Sequence, residues 1–177
     1  GCMCASAPSS VVVNPLPVIN FTTGGGQTTF CQGGSLVASA QSPNAITYAW
    51  NTGASTQSAT LTATGLYTVT VTNTNGCSKT DTINVNVIPL PTAAISPNGV
   101  SYICQGSSVV LDAGGTGMGY AYEWNTNETT QNIAVTAKNT YKVTVTNSAG
   151  CSIKDSVIVE VLDTPKVAII SGGTGSL

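Results

Sequence analysis

The sequence predicts an all-β chain of tandem sandwich-like repeats. Three observations carry that prediction: an internal period of 74 residues, two-residue alternation of apolar and polar side chains, and Gly, Asn and Pro turns between the alternating segments. Pro15-Leu16-Pro17 returns as Pro89-Leu90-Pro91 and Trp50-Asn51-Thr52 as Trp124-Asn125-Thr126, each 74 residues on. Gln57 and Gln131, Tyr67 and Tyr141, and Gly76-Cys77 and Gly150-Cys151 keep that offset, whereas Phe30-Cys31-Gln32-Gly33 meets Ile103-Cys104-Gln105-Gly106 at 73. The register divides the chain into residues 1–13 (the last strand of a preceding repeat), 14–88 (repeat 1), 89–162 (repeat 2) and 163–177 (the first strand of a following repeat). The chain is thus expected to be a window on a longer array.

Within a repeat, Leu36 and Ala38 mark an early strand, matched by Val109 and Leu111. Tyr48 and Trp50, then Leu61 and Ala63, supply two more. Tyr67, Val69 and Val71 alternate with Thr68, Thr70 and Thr72, the pattern of a half-buried strand, and Tyr141, Val143 and Val145 repeat it. A turn over Asn73 to Gly76 leads into Ile83, Val85 and Val87, closing a hairpin. Short strands at this spacing, with no convincing helix, predict tandem immunoglobulin-like β-sandwich repeats stacked end to end. Trp50 and Trp124 fall mid-strand, where a large ring fills the space between sheets. Tyr67 and Tyr141 each follow a turn and open a strand, the place of a tyrosine corner. All four are expected in cores. The Pro-x-Pro segments are stiff joints, because proline fixes φ and cannot extend a ladder.

Composition removes several function classes. Only 7% of residues are charged, from five lysines and seven acids, with no arginine or histidine. Without a basic face, nucleic-acid binding is not expected. Without histidine, triad-type and most transition-metal chemistry falls away. No apolar run reaches the roughly 18 residues of a membrane span. The acids are scattered and no pair recurs in both repeats, so neither a calcium site nor a glycosidase pair is supported. No catalytic residue, metal site or cofactor is expected, and the chain is not read as an enzyme.

Six cysteines in so uncharged a chain point to an oxidising, extracellular setting. Cys31 and Cys104 precede the second strand of their repeats; Cys77 and Cys151 follow the hairpin turn. Pairing within a repeat, Cys31 with Cys77 and Cys104 with Cys151, is the simpler alternative. Strand direction argues against it: in an immunoglobulin-like sandwich the second and sixth strands run parallel, which sets the two positions on the order of 25 Å apart at about 3.3 Å per residue. A disulfide needs Cα atoms within roughly 7 Å. Stacking end to end instead favours Cys31 with Cys151, between repeats, leaving Cys77 and Cys104 to partners outside the window. Cys2 fits the hairpin-turn position of a preceding repeat, which explains it better than lipidation does. Cys4 has no counterpart, and a zinc site at these two lacks a second ligand pair.

Phe30-Cys31-Gln32-Gly33-Gly34-Ser35-Leu36, Trp50-Asn51-Thr52-Gly53-Ala54-Ser55-Thr56-Gln57, Gly65-Leu66-Tyr67-Thr68-Val69-Thr70-Val71 and Asn75-Gly76-Cys77 resemble the PKD-like or Ig-like repeat of giant Bacteroidota surface proteins. Such repeats occur in gliding-motility adhesins and type 9 secretion substrates. The resemblance implies a secreted, surface-attached, array-forming protein without enzymatic activity in the repeats. The second copy departs at Asn127, where the usual glycine is lost and a different turn is expected. Asp81-Thr82-Ile83 and Asp155-Ser156-Val157 match the Asp-Ser/Thr-apolar pattern of Bacteroidota O-glycosylation, with Thr82 and Ser156 on the outward face. The favoured function is an extracellular structural or adhesive array forming the stalk or shaft of a cell-surface adhesin or filament. Its partners would be adjacent repeats, surface glycans or other cells, and laterally associated chains. The alternative is a carbohydrate-binding or spacer module of a secreted multidomain enzyme, which calls for an exposed aromatic strip.

Overall fold

The computed structural model describes residues 12–115 and 119–165. The chain divides into two units at Ile88/Pro89. Cys2, Cys4 and most of the flanking segments 1–13 and 163–177 lie outside the described residues.

The described residues of the first unit form seven strands. β1 (Asn20–Thr23), β3 (Leu36–Gln41) and β5 (Ser58–Leu61) form one sheet in the order β1-β3-β5. β2 (Thr29–Cys31), β4 (Ala45–Trp50), β6 (Gly65–Asn73) and β7 (Ser78–Ile88) form the other in the order β2-β7-β6-β4. All pairings are antiparallel except β2 with β7. Alternation decides which face is inward: Leu36, Ala38 and Ala40 meet Ala59, Leu61, Val69, Val71, Ile83 and Val85 between the sheets. Trp50 is 4% exposed, stands 6.0 Å from the Phe21 ring at a tilt, and donates from Nε1 to the Thr56 carbonyl at 2.9 Å.

The second unit repeats this plan. β8 (Val100–Cys104), β10 (Ala121–Trp124), β12 (Asn139–Thr146) and β13 (Ser152–Leu162) pair in the order β10-β12-β13-β8. β9 (Val109–Asp112) pairs with β11 (Asn132–Val135). β8 runs parallel to β13, as β2 does to β7. The counterpart of β1 shrinks to one bridge, Ser96 with Asp112. Trp124 is 2% exposed and donates to the Thr130 carbonyl at 2.9 Å, reproducing Trp50. Each unit is an immunoglobulin-like sandwich.

Three expectations need correction. Ala63 lies beyond the end of β5 and is exposed; its carbonyl instead accepts the Tyr67 hydroxyl at 2.9 Å, as Ala137 accepts Tyr141. Tyr141 is buried, but Tyr67 only half so. The turn at Asn127 is not different from its counterpart: Gly53 N–H donates to the Trp50 carbonyl and Asn127 N–H to that of Trp124, both at 3.0 Å. Gly53 has φ 87 and Asn127 φ 73. Asparagine takes this left-handed conformation more readily than other side chains, so the turn survives loss of the glycine.

Candidate functional site

The chemistry-bearing residues of this chain are its cysteines, and the strand ends decide where they stand. Cys31 closes β2 and pairs in register with Ile88, the last residue of β7. The next residue's N–H, from Gln32, donates to the Ile88 carbonyl at 2.7 Å. Cys31 therefore sits at the trailing end of the first unit, where the chain departs. Cys104 closes β8 beside Leu162 in the same way, with Gln105 N–H on the Leu162 carbonyl at 3.0 Å.

Cys77 and Cys151 sit at the opposite, leading ends. Each follows a hairpin turn closed by a left-handed glycine, Gly76 at φ 77 and Gly150 at φ 82. An asparagine holds each turn to the start of its unit. The Asn73 amide donates to the Pro15 carbonyl at 3.0 Å while its oxygen accepts from Asn75 N–H and Cys77 N–H, both at 3.0 Å. Asn147 repeats this with Pro89 at 3.1 Å and with the N–H groups of Ala149 and Cys151 at 3.1 and 3.0 Å. The Cys77 thiol also points at the Asn14 carbonyl, 3.9 Å away. Each leading-end cysteine is thus fixed against the first residues of its own unit.

Cys31 and Cys151 are disulfide-bonded; Cys77 and Cys104 carry free thiols. Neither within-repeat pair, Cys31–Cys77 or Cys104–Cys151, is formed. The geometry forbids both, because β7 and β13 are each 11 residues long and separate the two cysteine positions by on the order of 35 Å. The strands responsible are not the ones the sequence suggests: Cys31 and Cys104 end their own short strands, parallel to the last strand of the unit.

Thr82 and Ser156 are exposed, and the N–H of each is held by the preceding carboxylate, Asp81 or Asp155, at 2.8 Å. Asp155 also accepts from Ile95 N–H at 2.8 Å, so it anchors the leading segment of its unit. Among the described residues, Tyr102 is the one exposed aromatic, at 64%. Tyr122 donates to the Gly115 carbonyl at 3.1 Å, and its hydroxyl is held above the usual tyrosine value by burial first, then by Asp112 and Tyr120. No helix among the described residues is long and apolar enough to cross a membrane.

No family model and no curated protein matches the chain. Among solved structures, the chain is similar to three N-terminal domains of the highly immunogenic outer capsid protein of bacteriophage RB49, at 18% identity and TM-score 0.41, over 82% of this chain and 59% of that one. It is similar to the insect immune protein hemolin at 18% identity and TM-score 0.48, over 82% of this chain and 47% of the other. A titin I-band fragment, I67–I69, gives 12% identity and TM-score 0.39 over 86% and 67% of the two chains. The chain therefore spans about half to two thirds of these proteins.

Proposed function

We propose that this chain is a non-enzymatic, extracellular structural or adhesive module whose units form a covalently locked shaft, with Cys31 bonded to Cys151 across the joint. The observation that carries this reading lies in the chain path. Cys31 lies in register with Ile88, whose carbonyl accepts from Gln32 N–H, the Cys151 turn is hydrogen-bonded to Pro89 through Asn147, and Ile88 and Pro89 are joined by one peptide bond. Attachment to adjacent backbone residues supports a bond between the two cysteines, and both are oxidised while Cys77 and Cys104 are not. Two oxidised cysteines suit a secreted setting. The absence of histidine and of any recurring acid pair supports a role without catalysis. The resemblance to Bacteroidota surface repeats supports a cell-surface adhesin secreted by the type 9 route, with Thr82 and Ser156 as exposed acceptors for glycans.

A shaft carries tension, and the disulfide determines what tension can extend. Cys31 and Cys151 stand 120 residues apart, so their bond shields most of both cores from a pull on the termini. Single-molecule extension of the oxidised and reduced chain tests this. Reduction is expected to lengthen the fully unfolded chain by about 400 Å, at about 3.5 Å per residue. An unchanged length, or an increment of about 100 Å from a bond between Cys31 and the Cys2–Cys4 segment, contradicts the shaft.

A further inference from the structure

The two free thiols occupy the same local settings as the two bonded ones. Cys104 stands at a trailing end as Cys31 does, beside the last residue of its unit's last strand. Cys77 stands in an asparagine-held turn at a leading end as Cys151 does. The same turn leaves Cys77 half-buried as a thiol and Cys151 only 1% exposed as a disulfide. From this equivalence we infer that Cys104 and Cys77 are the two complementary halves of a further joint, and that the partner of each is another unit of this same fold, a role that a second copy of the chain can fill. The inference rests on the shaft reading and names its partner.

The joint forms by two thiol–disulfide exchanges, with a small-molecule or protein disulfide of an oxidising compartment as the oxidant. The Cys104 thiolate attacks that disulfide, forming a mixed disulfide and releasing one thiol. The Cys77 thiolate of the next copy attacks the Cys104 sulfur, forming the Cys104–Cys77 bond and releasing the second thiol. The two electrons lost by the cysteines reduce the oxidant, and their two protons end on the released thiols. Exposed Cys104 is the first to react, and half-buried Cys77 is the resolving group.

The test is oxidation of the full chain with glutathione disulfide at rising protein concentration, followed by non-reducing electrophoresis and peptide mapping. Head-to-tail linkage predicts dimers, trimers and longer species that collapse on reduction and a dominant Cys104–Cys77 peptide. Their yield rises with concentration, because a second copy lacks the tethering of the Ile88–Pro89 bond. Cys77→Ser and Cys104→Ser chains mixed together are expected to stop at dimers carrying that same peptide. Dominant Cys104–Cys104 or Cys77–Cys77 links, links through Cys2 or Cys4, or glutathione adducts alone overturn the inference. The same map reports Cys31–Cys151: if that peptide is found without Cys104–Cys77, the inference fails and the shaft stands; if neither is found, both fail.

Discussion

Asn73 is the residue whose removal tests how the leading end is built. Its side chain is 5% exposed and makes three hydrogen bonds, one to the Pro15 carbonyl and two from turn N–H groups. Asn73→Ala removes all three. At about 1 kcal/mol net per bond, less what water recovers at the exposed Asn75 amide, the loss is about 2 kcal/mol. In a unit of this size that lowers the melting temperature by about 8–16 °C. Differential scanning calorimetry reads the effect on the first unit's transition, and the second unit's transition is expected to stay in place, since its own cage is Asn147. Asn73→Asp keeps both acceptor bonds and turns an anionic oxygen toward the Pro15 carbonyl, so it too destabilises, while amide exchange at Asn75 and Cys77 stays slow. A loss below about 0.5 kcal/mol for Asn73→Ala, or equal shifts in both transitions, would refute the reasoning.

Two further outcomes follow from the geometry. Gly53 has open space around its missing Cβ, so substitution there costs only backbone conformation; Gly53→Val is expected to cost about 1–2 kcal/mol and Gly53→Asn clearly less, as Asn127 already occupies the matching turn, with chemical denaturation as the check. Tyr122 is held neutral above the usual tyrosine range, so what its hydroxyl adds is fully present below about pH 10 and is lost as pH rises through the raised value. Thermal melts from pH 7 to 11 should therefore show an alkaline loss that Tyr122→Phe lacks, and identical profiles would remove tyrosine ionisation as the cause.

The long strands were legible because alternation announces them. β6, β7, β12 and β13 each present successive buried residues at every second position, and the two tryptophans fall on the inward face. β2 and β8 were not legible. β2 is three residues long and β8 offers Ile103 as its one buried side chain, too little for a period to show. Their partners lie more than fifty residues away in parallel register, which no local pattern encodes. The opposed placement of the cysteines was nevertheless foreseeable, because any parallel pair of strands separates the start of one from the end of the other. Asn73 and Asn147 read as ordinary turn residues for a similar reason: the carbonyls they hold belong to Pro15 and Pro89, 58 residues earlier. The identical offset in both repeats was the signal that could have found them. At Asn127, reading the missing glycine as a changed turn underrated how well asparagine adopts a left-handed backbone.

The account stands or falls on the proposed bond between Cys31 and Cys151, and non-reducing peptide mapping of the alkylated full chain measures it directly. The account predicts one dominant cross-linked peptide joining Cys31 to Cys151, with Cys77 and Cys104 recovered as alkylated thiols. Cys31 or Cys151 recovered in a link to Cys2 or Cys4 would contradict it, and the units would then be separate beads on proline joints.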